Sequence, residues 1–270
     1  AFRISSSTNA TMFTVNANGN VGIGDISNPG AQLEVVGDII SKGTKWSEIS
    51  LLNQESWTSV TYGNGLFVAV SEDTSNNSVM TSSDGINWAT STSAANREWS
   101  SVTYGNGLFV AVADAGSFNR VMTSPNGINW TSRSSTLNAW TSVTYGNGLF
   151  VAVARIGTGT RVETSPDGIT WTSRTSAADN GWYSVTYGNG LFVAVASSGT
   201  KNRVMTSPDG ITWTTRASSD LNWTSVTYGN GLFVAVSRGD EAVITSGKIE
   251  LNALAHNNIF QGGMSILGGN

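Results

Sequence analysis

Three sets of side chains in this sequence carry charge or reactive oxygen at regular spacing. Carboxylates recur in Ser82-Ser83-Asp84-Gly85-Ile86-Asn87-Trp88 and in its relatives ending at Trp171 and Trp213; the copy ending at Trp130 has Asn126 in place of the Asp. Arg120, Arg161 and Arg203 each precede a Val-x-Thr-Ser run, and Tyr62, Tyr104, Tyr145, Tyr187 and Tyr228 each follow a Ser-Val-Thr run. Carboxylates serve as general acids and bases, tyrosines as nucleophiles or proton donors, and arginines as clamps for anions. Catalysis, however, needs an asymmetric cluster, whereas these groups repeat from unit to unit. An Asp or Asn ahead of Gly caps a tight turn, and a tyrosine found in every unit packs. The chain has no cysteine and one histidine, His256, so no metal-ligand spacing exists and neither metal nor cofactor is expected. Glu163 stands where other units have Met80, Met122, Met205 or Ile244, and is either exposed or paired with Arg161 or Arg174.

These residues are carried by an internal repeat. Trp-x-Ser-Val-Thr-Tyr-Gly-Asn-Gly-Leu-Phe-Val-Ala-Val starts at Trp57, Trp99, Trp140, Trp182 and Trp223, and its tyrosines lie 42, 41, 42 and 41 residues apart. Ser59 to Tyr62 alternates as a half-buried strand, Asn64-Gly65 tolerates the positive φ of a hairpin turn, and Leu66 to Val70 is an apolar strand. Val79 to Ser82 forms a third strand. After Asp84-Gly85, Ile86-Asn87-Trp88 is expected to be the outermost one. A period near 40 with four short strands predicts an all-β, five-bladed propeller with four-stranded blades, against a rival β-sandwich or solenoid. The fifth unit lacks a closing tryptophan, while Trp46 lies 11 residues before Trp57, as Trp88 does before Trp99. Trp46 is therefore expected to supply the last blade's outer strand, closing the ring from its N-terminal end.

Composition limits the partners. The 270 residues are 39% hydrophobic and 12% charged, with a net charge of −4, so no basic stripe offers itself to nucleic acid. No apolar run reaches the roughly 20 residues of a membrane span. The organisation read is residues 1–37 as an N-terminal β-stalk segment, 38–248 as the propeller and 249–270 as a C-terminal stalk segment. Apolar residues of the two ends, among them Phe13, Val15, Ile23, Phe260 and Ile266, are expected to be covered by other chains.

Two resemblances sharpen this reading. Asn18-Gly19-Asn20-Val21-Gly22-Ile23-Gly24 followed by Leu33-Glu34-Val35-Val36-Gly37-Asp38-Ile39 resembles the stalk of phage tail fibres, which implies a virion fibre, a trimer and receptor recognition. The Ser-x-Asp-Gly-x-x-Trp blocks resemble the Asp-box of sialidase-like propellers, where the box is a structural turn. A sialidase would need an arginine trio facing a tyrosine and a carboxylate.

Recognition is expected where the repeats disagree, on the loops between second and third strands and between blades, because binding residues ride on loops of a rigid scaffold. That face carries Asp73, Asn76, Asn77, Arg97, Phe118, Asn119, Arg120, Arg155, Arg161, Asp179, Asn180, Tyr183, Lys201, Asn202, Arg203, Asp220, Arg238 and Asp240. Amides, carboxylates, guanidinium groups and an aromatic face suit a cell-surface carbohydrate, and serve a protein receptor equally. The function expected is that of an extracellular adhesin, without catalysis. A sialidase-like hydrolase and a structural filament subunit with the propeller as spacer are the alternatives.

Overall fold

The computed structural model describes residues 2–5, 11–15, 17, 21–23, 33–35, 48–49, 55–116, 119–157, 159–239 and 242–246. The chain forms two compact units, 1–50 and 51–270. The first holds one sheet of β1 (Phe2–Ser5), β2 (Thr11–Val15), β3 (Val21–Ile23) and β4 (Leu33–Val35), in that order. The β1–β2 and β2–β3 pairs are antiparallel, and β3–β4 is parallel with Val21 opposite Leu33.

The second unit is a five-bladed β-propeller, and no helix occurs among the described residues. Blade one is β5 (Trp57–Gly63), β6 (Leu66–Ser71), β7 (Val79–Ser82) and β8 (Ala89–Ser91). Blade two is β9 (Glu98–Gly105), β10 (Leu108–Ala115), β11 (Val121–Ser124) and β12 (Thr131–Arg133). Blade three is β13 (Ala139–Gly146), β14 (Leu149–Ile156), β15 (Val162–Ser165) and β16 (Thr172–Arg174). Blade four is β17 (Trp182–Gly188), β18 (Leu191–Ala196), β19 (Val204–Ser207) and β20 (Thr214–Arg216). Blade five shows β21 (Trp223–Gly229), β22 (Leu232–Ser237) and β23 (Val243–Ser246). The strands of every blade run antiparallel in chain order. Asn64 (φ 50°) and Gly65 (φ 75°) make the left-handed hairpin turn read from the sequence.

The outer strand starts later than expected. Asp84 Oδ1 accepts the N–H groups of Ile86 (2.8 Å) and Asn87 (2.7 Å), which curls both residues into the turn. Trp88 ends that turn, its Nε1 donating to Gly85 O at 3.1 Å, and the strand begins at Ala89. The same Trp-to-Gly bond recurs at Trp130, Trp171 and Trp213. Those three tryptophans then pack into the apolar clusters between successive blades. Between blades four and five the cluster holds no outer tryptophan among the described residues, and Leu191, Val193, Phe233 and Ile244 line a cavity of about 360 Å³. The expectation for Trp46 falls outside the described residues.

The closest approach between successive blades is that of a tyrosine ring to a glycine. A Cβ placed on Gly63, Gly105, Gly146 or Gly188 would lie 2.1 Å from Cγ of Tyr104, Tyr145, Tyr187 or Tyr228, so only glycine admits the ring at these points. Beside it, Ser59, Ser101, Ser142 and Ser184 accept the N–H of Val102, Val143, Val185 and Val226, each at 3.1 Å. The tryptophans that open blades two to five are wholly buried. Replacing Gly146 with Ala puts a methyl inside the Tyr187 ring. Overpacking of this kind costs about 1–3 kcal/mol, so Gly146→Ala is expected to lower the thermal unfolding midpoint by several degrees, as read by circular dichroism.

Candidate functional site on the loop face

Antiparallel strand order places the Gly-Asn-Gly and Asp-Gly turns on one face and the divergent loops on the other. On the turn face the carboxylates are held as acceptors. Asp84, Asp167 and Asp209 all have pKa values below the ordinary carboxylate range, chiefly because the backbone N–H groups of Asn87, Thr170 and Thr212 bind their oxygens. Groups fixed as anions by their own turns are poorly suited to proton transfer.

On the loop face the recurrent arginines close their own loops. Nε of Arg120, Arg161 and Arg203 donates to Gly116 O (2.9 Å), Gly157 O (2.6 Å) and Gly199 O (2.8 Å). Nη1 of each reaches a second carbonyl, of Asp114 (3.2 Å), Arg155 (3.3 Å) or Ser197 (3.0 Å). Arg161 and Arg203 also lie 3.7 Å and 3.9 Å from Asp179 and Asp220. These carboxylates tie a loop to an inter-blade stretch, Asp179 accepting the Gly159 N–H (2.6 Å) and Asp220 the Lys201 N–H. Asp73 does likewise with the Ser56 N–H. Asn180 is buried and donates to Asn202 O (2.9 Å) and Oδ1 (3.0 Å).

The remaining loop residues are spread along the rim. Asn76 O accepts the Ser93 N–H, Asn77 N donates to Ser75 Oγ, and Arg97 Nη1 donates to Asn96 O. Asn119 (φ 59°) and Lys201 (φ 56°) take left-handed turn conformations. Phe118 and Asp240 lie outside the described residues.

A different group gathers at the base of the loops. The residue just beyond the shared Val-Ala-Val-(Ala/Ser) run of the second strand is Glu72, Asp114, Arg155, Ser197 or Arg238, a different side chain in almost every blade. Arg155 Nε donates to both oxygens of Asp114, at 2.9 and 2.8 Å, bridging blades two and three. That hydrogen bond is the main reason the Arg155 pKa is raised, and Tyr183 adds to it. Among the described residues Arg238 is exposed and has no ion-pair partner.

Tyr183 departs from the repeat. At its position Thr58, Ser100 and Thr141 donate to the carbonyls of Trp99 (2.7 Å), Trp140 (2.6 Å) and Trp182 (2.8 Å), sealing the loop end of each seam. Blade four has the half-buried Tyr183 instead, and its seam with blade five opens into a cleft of about 460 Å³ lined by Tyr183, Ser197, Asn222, Thr224, Arg238 and Gly239. Of these, Tyr183 and Arg238 are among the loop residues expected from the sequence. Ser197 and Asn222 lie on divergent loops assigned from the sequence to the recognition face, whereas Thr224, inside the shared repeat, was not singled out. No group of three or more potential metal ligands exists among the described residues.

Glu163 is neither exposed nor paired with Arg161 or Arg174. It is fully buried, Thr136 Oγ1 stands 3.4 Å from its Oε2, and its Oε1 has no partner among the described residues. Burial pushes its pKa up from the usual 4.5 to about 8.

No protein-family model matches this sequence, and no curated protein does. Solved structures do match, and they place the fold among β-propellers. The chain is similar to selenomethionine-substituted virginiamycin B lyase from Staphylococcus aureus (12% identity, 87% of this chain and 90% of that one, TM-score 0.62). It is also similar to YCF48 bound to D1 peptide (14% identity, 77% and 68%, TM-score 0.58). A third match is the computationally designed protein Ika8 (14% identity, TM-score 0.53), where 70% of this chain spans only 58% of that one. At such identities the likeness is one of fold.

Glu163 yields a pH test. Folded, it keeps its proton to about pH 8; unfolded, it ionises near 4.5, so between those values the unfolded chain binds fewer protons. Its contribution to stability therefore falls as pH rises from about 4.5 to about 8 and is level beyond, at about 1.4 kcal/mol per tenfold change in proton affinity. Glu163→Met restores the residue of the other blades. It is expected to raise the melting temperature more at pH 8 than at pH 5, measured by parallel thermal unfolding of both proteins.

Proposed function

We propose that this chain is the receptor-binding module of an extracellular fibre, and that it holds a cell-surface carbohydrate in the cleft between blades four and five. The observation that carries the reading is Tyr183. One blade replaces a small seam-sealing hydroxyl with an aromatic ring, and the space so opened gathers Asn222, Thr224, Ser197 and Arg238. An aromatic face covers the apolar side of a sugar, while amide, hydroxyl and guanidinium groups bond its hydroxyls. A cleft of about 460 Å³ also falls within the usual size of small-ligand sites, roughly 300–1,000 Å³.

The fibre rests on the stalk-like Asn18 to Gly24 and Leu33 to Ile39 stretches, which support a homotrimer joined through the stalk segments on a virion or cell-surface appendage. Three weak sites engaging one surface together gain strength without new contacts. A binding role is favoured over hydrolysis because Arg120, Arg161 and Arg203 each bind their own loop carbonyls rather than converging on a carboxylate. The peptide bound by the similar YCF48 supports a second reading, in which the same face takes a protein receptor.

A glycan array probed with the full chain tests this. Tyr183→Ala and Arg238→Ala are each expected to weaken a specific signal at least about tenfold, the worth of one or two hydrogen bonds or a stacked ring. Arg203→Ala should lower the melting temperature before it touches binding. A signal unchanged by both cleft substitutions would remove the cleft from the proposal, and a blank array with capture of a displayed peptide would move the ligand to protein.

A further inference from the structure

Two departures from the repeat meet at the outer edge of the seam between blades one and two. The first is Ser91, which pairs with Val79 as Arg133 pairs with Val121, Arg174 with Val162 and Arg216 with Val204. In those three blades the arginine Nε donates to Oγ1 of Thr123 (2.8 Å), Thr164 (3.0 Å) or Thr206 (2.8 Å). That bond lays the long side chain along the sheet face turned to the next blade, where blade one has only a serine hydroxymethyl. The second departure is Asn126. In blade one, Asp84 Oδ2 accepts the side-chain amide of Asn87 at 2.8 Å. Asn126 Oδ1 still accepts the backbone N–H groups of Ile128 (3.0 Å) and Asn129 (2.9 Å), but its other terminal atom is a nitrogen, and the Asn129 amide is left without the bond that Asn87 makes.

Together they border a groove of about 580 Å³, walled by Ser91, Thr92 and Ser93 on one side and by Ile128, Asn129 and Trp130 on the other. Its walls are held in place. Trp130 Nε1 donates to Gly127 O at 2.9 Å, and its ring packs on the cluster of Val79 and Trp99 while remaining only half-buried. Ser93 donates its N–H to Asn76 O (3.0 Å) and its hydroxyl to Ala95 O (3.0 Å), and Ser132 Oγ reaches across the seam to Ala94 O (3.3 Å). No charged side chain lines the groove among the described residues.

We propose that this groove is a second ligand site, for an uncharged sugar residue. The fixed Trp130 ring covers the apolar C–H face of the sugar, the Asn129 amide both donates and accepts, and the hydroxyls of Ser91 and Thr92 do the same. The volume suits one or two sugar residues, within the roughly 300–1,000 Å³ of small-ligand sites. An anionic sugar would give up the hydration of its charge and gain no ion pair in return. Walls that are already ordered lose little freedom on binding. The site is built from other residues than the Tyr183 cleft, so it stands whether or not that cleft binds.

The test is a titration of the full chain with the methyl glycosides of glucose, galactose, mannose and N-acetylglucosamine, with N-acetylneuraminic acid as the charged control. The indole N–H resonance of Trp130 is followed by NMR, up to about 10 mM, tenfold above the millimolar constant of one weak site. At least one neutral glycoside is expected to shift that resonance, and the charged sugar is not. Ser91→Arg restores the residue of the other blades and fills the groove; it should weaken the response at least about tenfold while the melting temperature holds or rises. Asn126→Asp changes almost no volume but recaptures the Asn129 amide, and should weaken binding about threefold to tenfold, the worth of one hydrogen bond. Tyr183→Ala should leave the Trp130 response as it is, which separates this site from the loop-face cleft. The proposal is overturned if no neutral glycoside moves the resonance, if N-acetylneuraminic acid moves it equally, or if the affinity is the same in Ser91→Arg or in Asn126→Asp.

Discussion

The approach of a tyrosine ring to a glycine across each blade seam is the constraint on which this molecule depends. The ring lies so near the neighbouring backbone that no side chain fits between them, which fixes both the spacing and the relative rotation of successive sheets. Once that is set, the serine hydroxyl finds the next blade's valine N–H and the opening tryptophan is enclosed. The apolar Phe-Val-Ala-Val strands then face one another across a filled core. Interiors packed to this density tolerate little adjustment, so the loop bases are delivered to one rim at regular intervals. A recognition surface built from loops needs that regularity, because the loops themselves are held by only a few bonds each.

How far this was legible in the sequence depends on how local the determining physics is. Period-two patterning and Asn-Gly turn chemistry are local, and the strands they imply are present with their hairpins. The outer strand was misplaced because its start is decided by competition: the Asp84 carboxylate binds the N–H groups of Ile86 and Asn87 and holds them in the turn, against their β-forming pattern. The fate of Arg120, Arg161 and Arg203 was not legible either. Whether a guanidinium faces a ligand or its own loop depends on where carbonyls point, and those carbonyls belong to glycines at positive φ several residues away. Glu163 shows a third limit. Its sequence position marks it as an exception, yet only packing reveals that it is fully buried with Thr136 as its hydrogen-bonding neighbour.

The departures from the repeat fall into two kinds, and the difference is physical. Glu163 sits in the core, where a buried carboxyl with an unmatched oxygen can only be destabilising. Its neighbours compensate only in part: the Thr136 backbone N–H and hydroxyl both favour the anion, yet burial outweighs them. Tyr183 sits at the loop end of a seam, where losing one hydroxyl-to-carbonyl bond costs about 1 kcal/mol and the rest of that seam stays closed, with Val226 N still bonded to Ser184. A repeat protein can absorb a loss of that size at one of several equivalent joints. An exception at a rim therefore opens a usable space at small cost, whereas an exception in the core opens none.

The recognition face and the seams can vary separately, because they use different residues. Ligand contacts at Tyr183 and Arg238 draw on side chains at the loop ends of β17 and β22. The seams draw on backbone N–H groups, a serine and a glycine further along the inner strands, residues whose types are dictated by the packing of sheet on sheet. A change of loop residue alters what is bound without disturbing seam geometry, because the seam-forming residues point between sheets. Conversely, any change that spoils the glycine–tyrosine fit alters the joint between neighbours and leaves the loop chemistry of each blade as it was. Near-identical blades are therefore not redundant copies of one binding site. They are identical where sheet meets sheet, and differ where the chain meets solvent, which is the distribution expected when packing is the shared constraint and recognition the variable one.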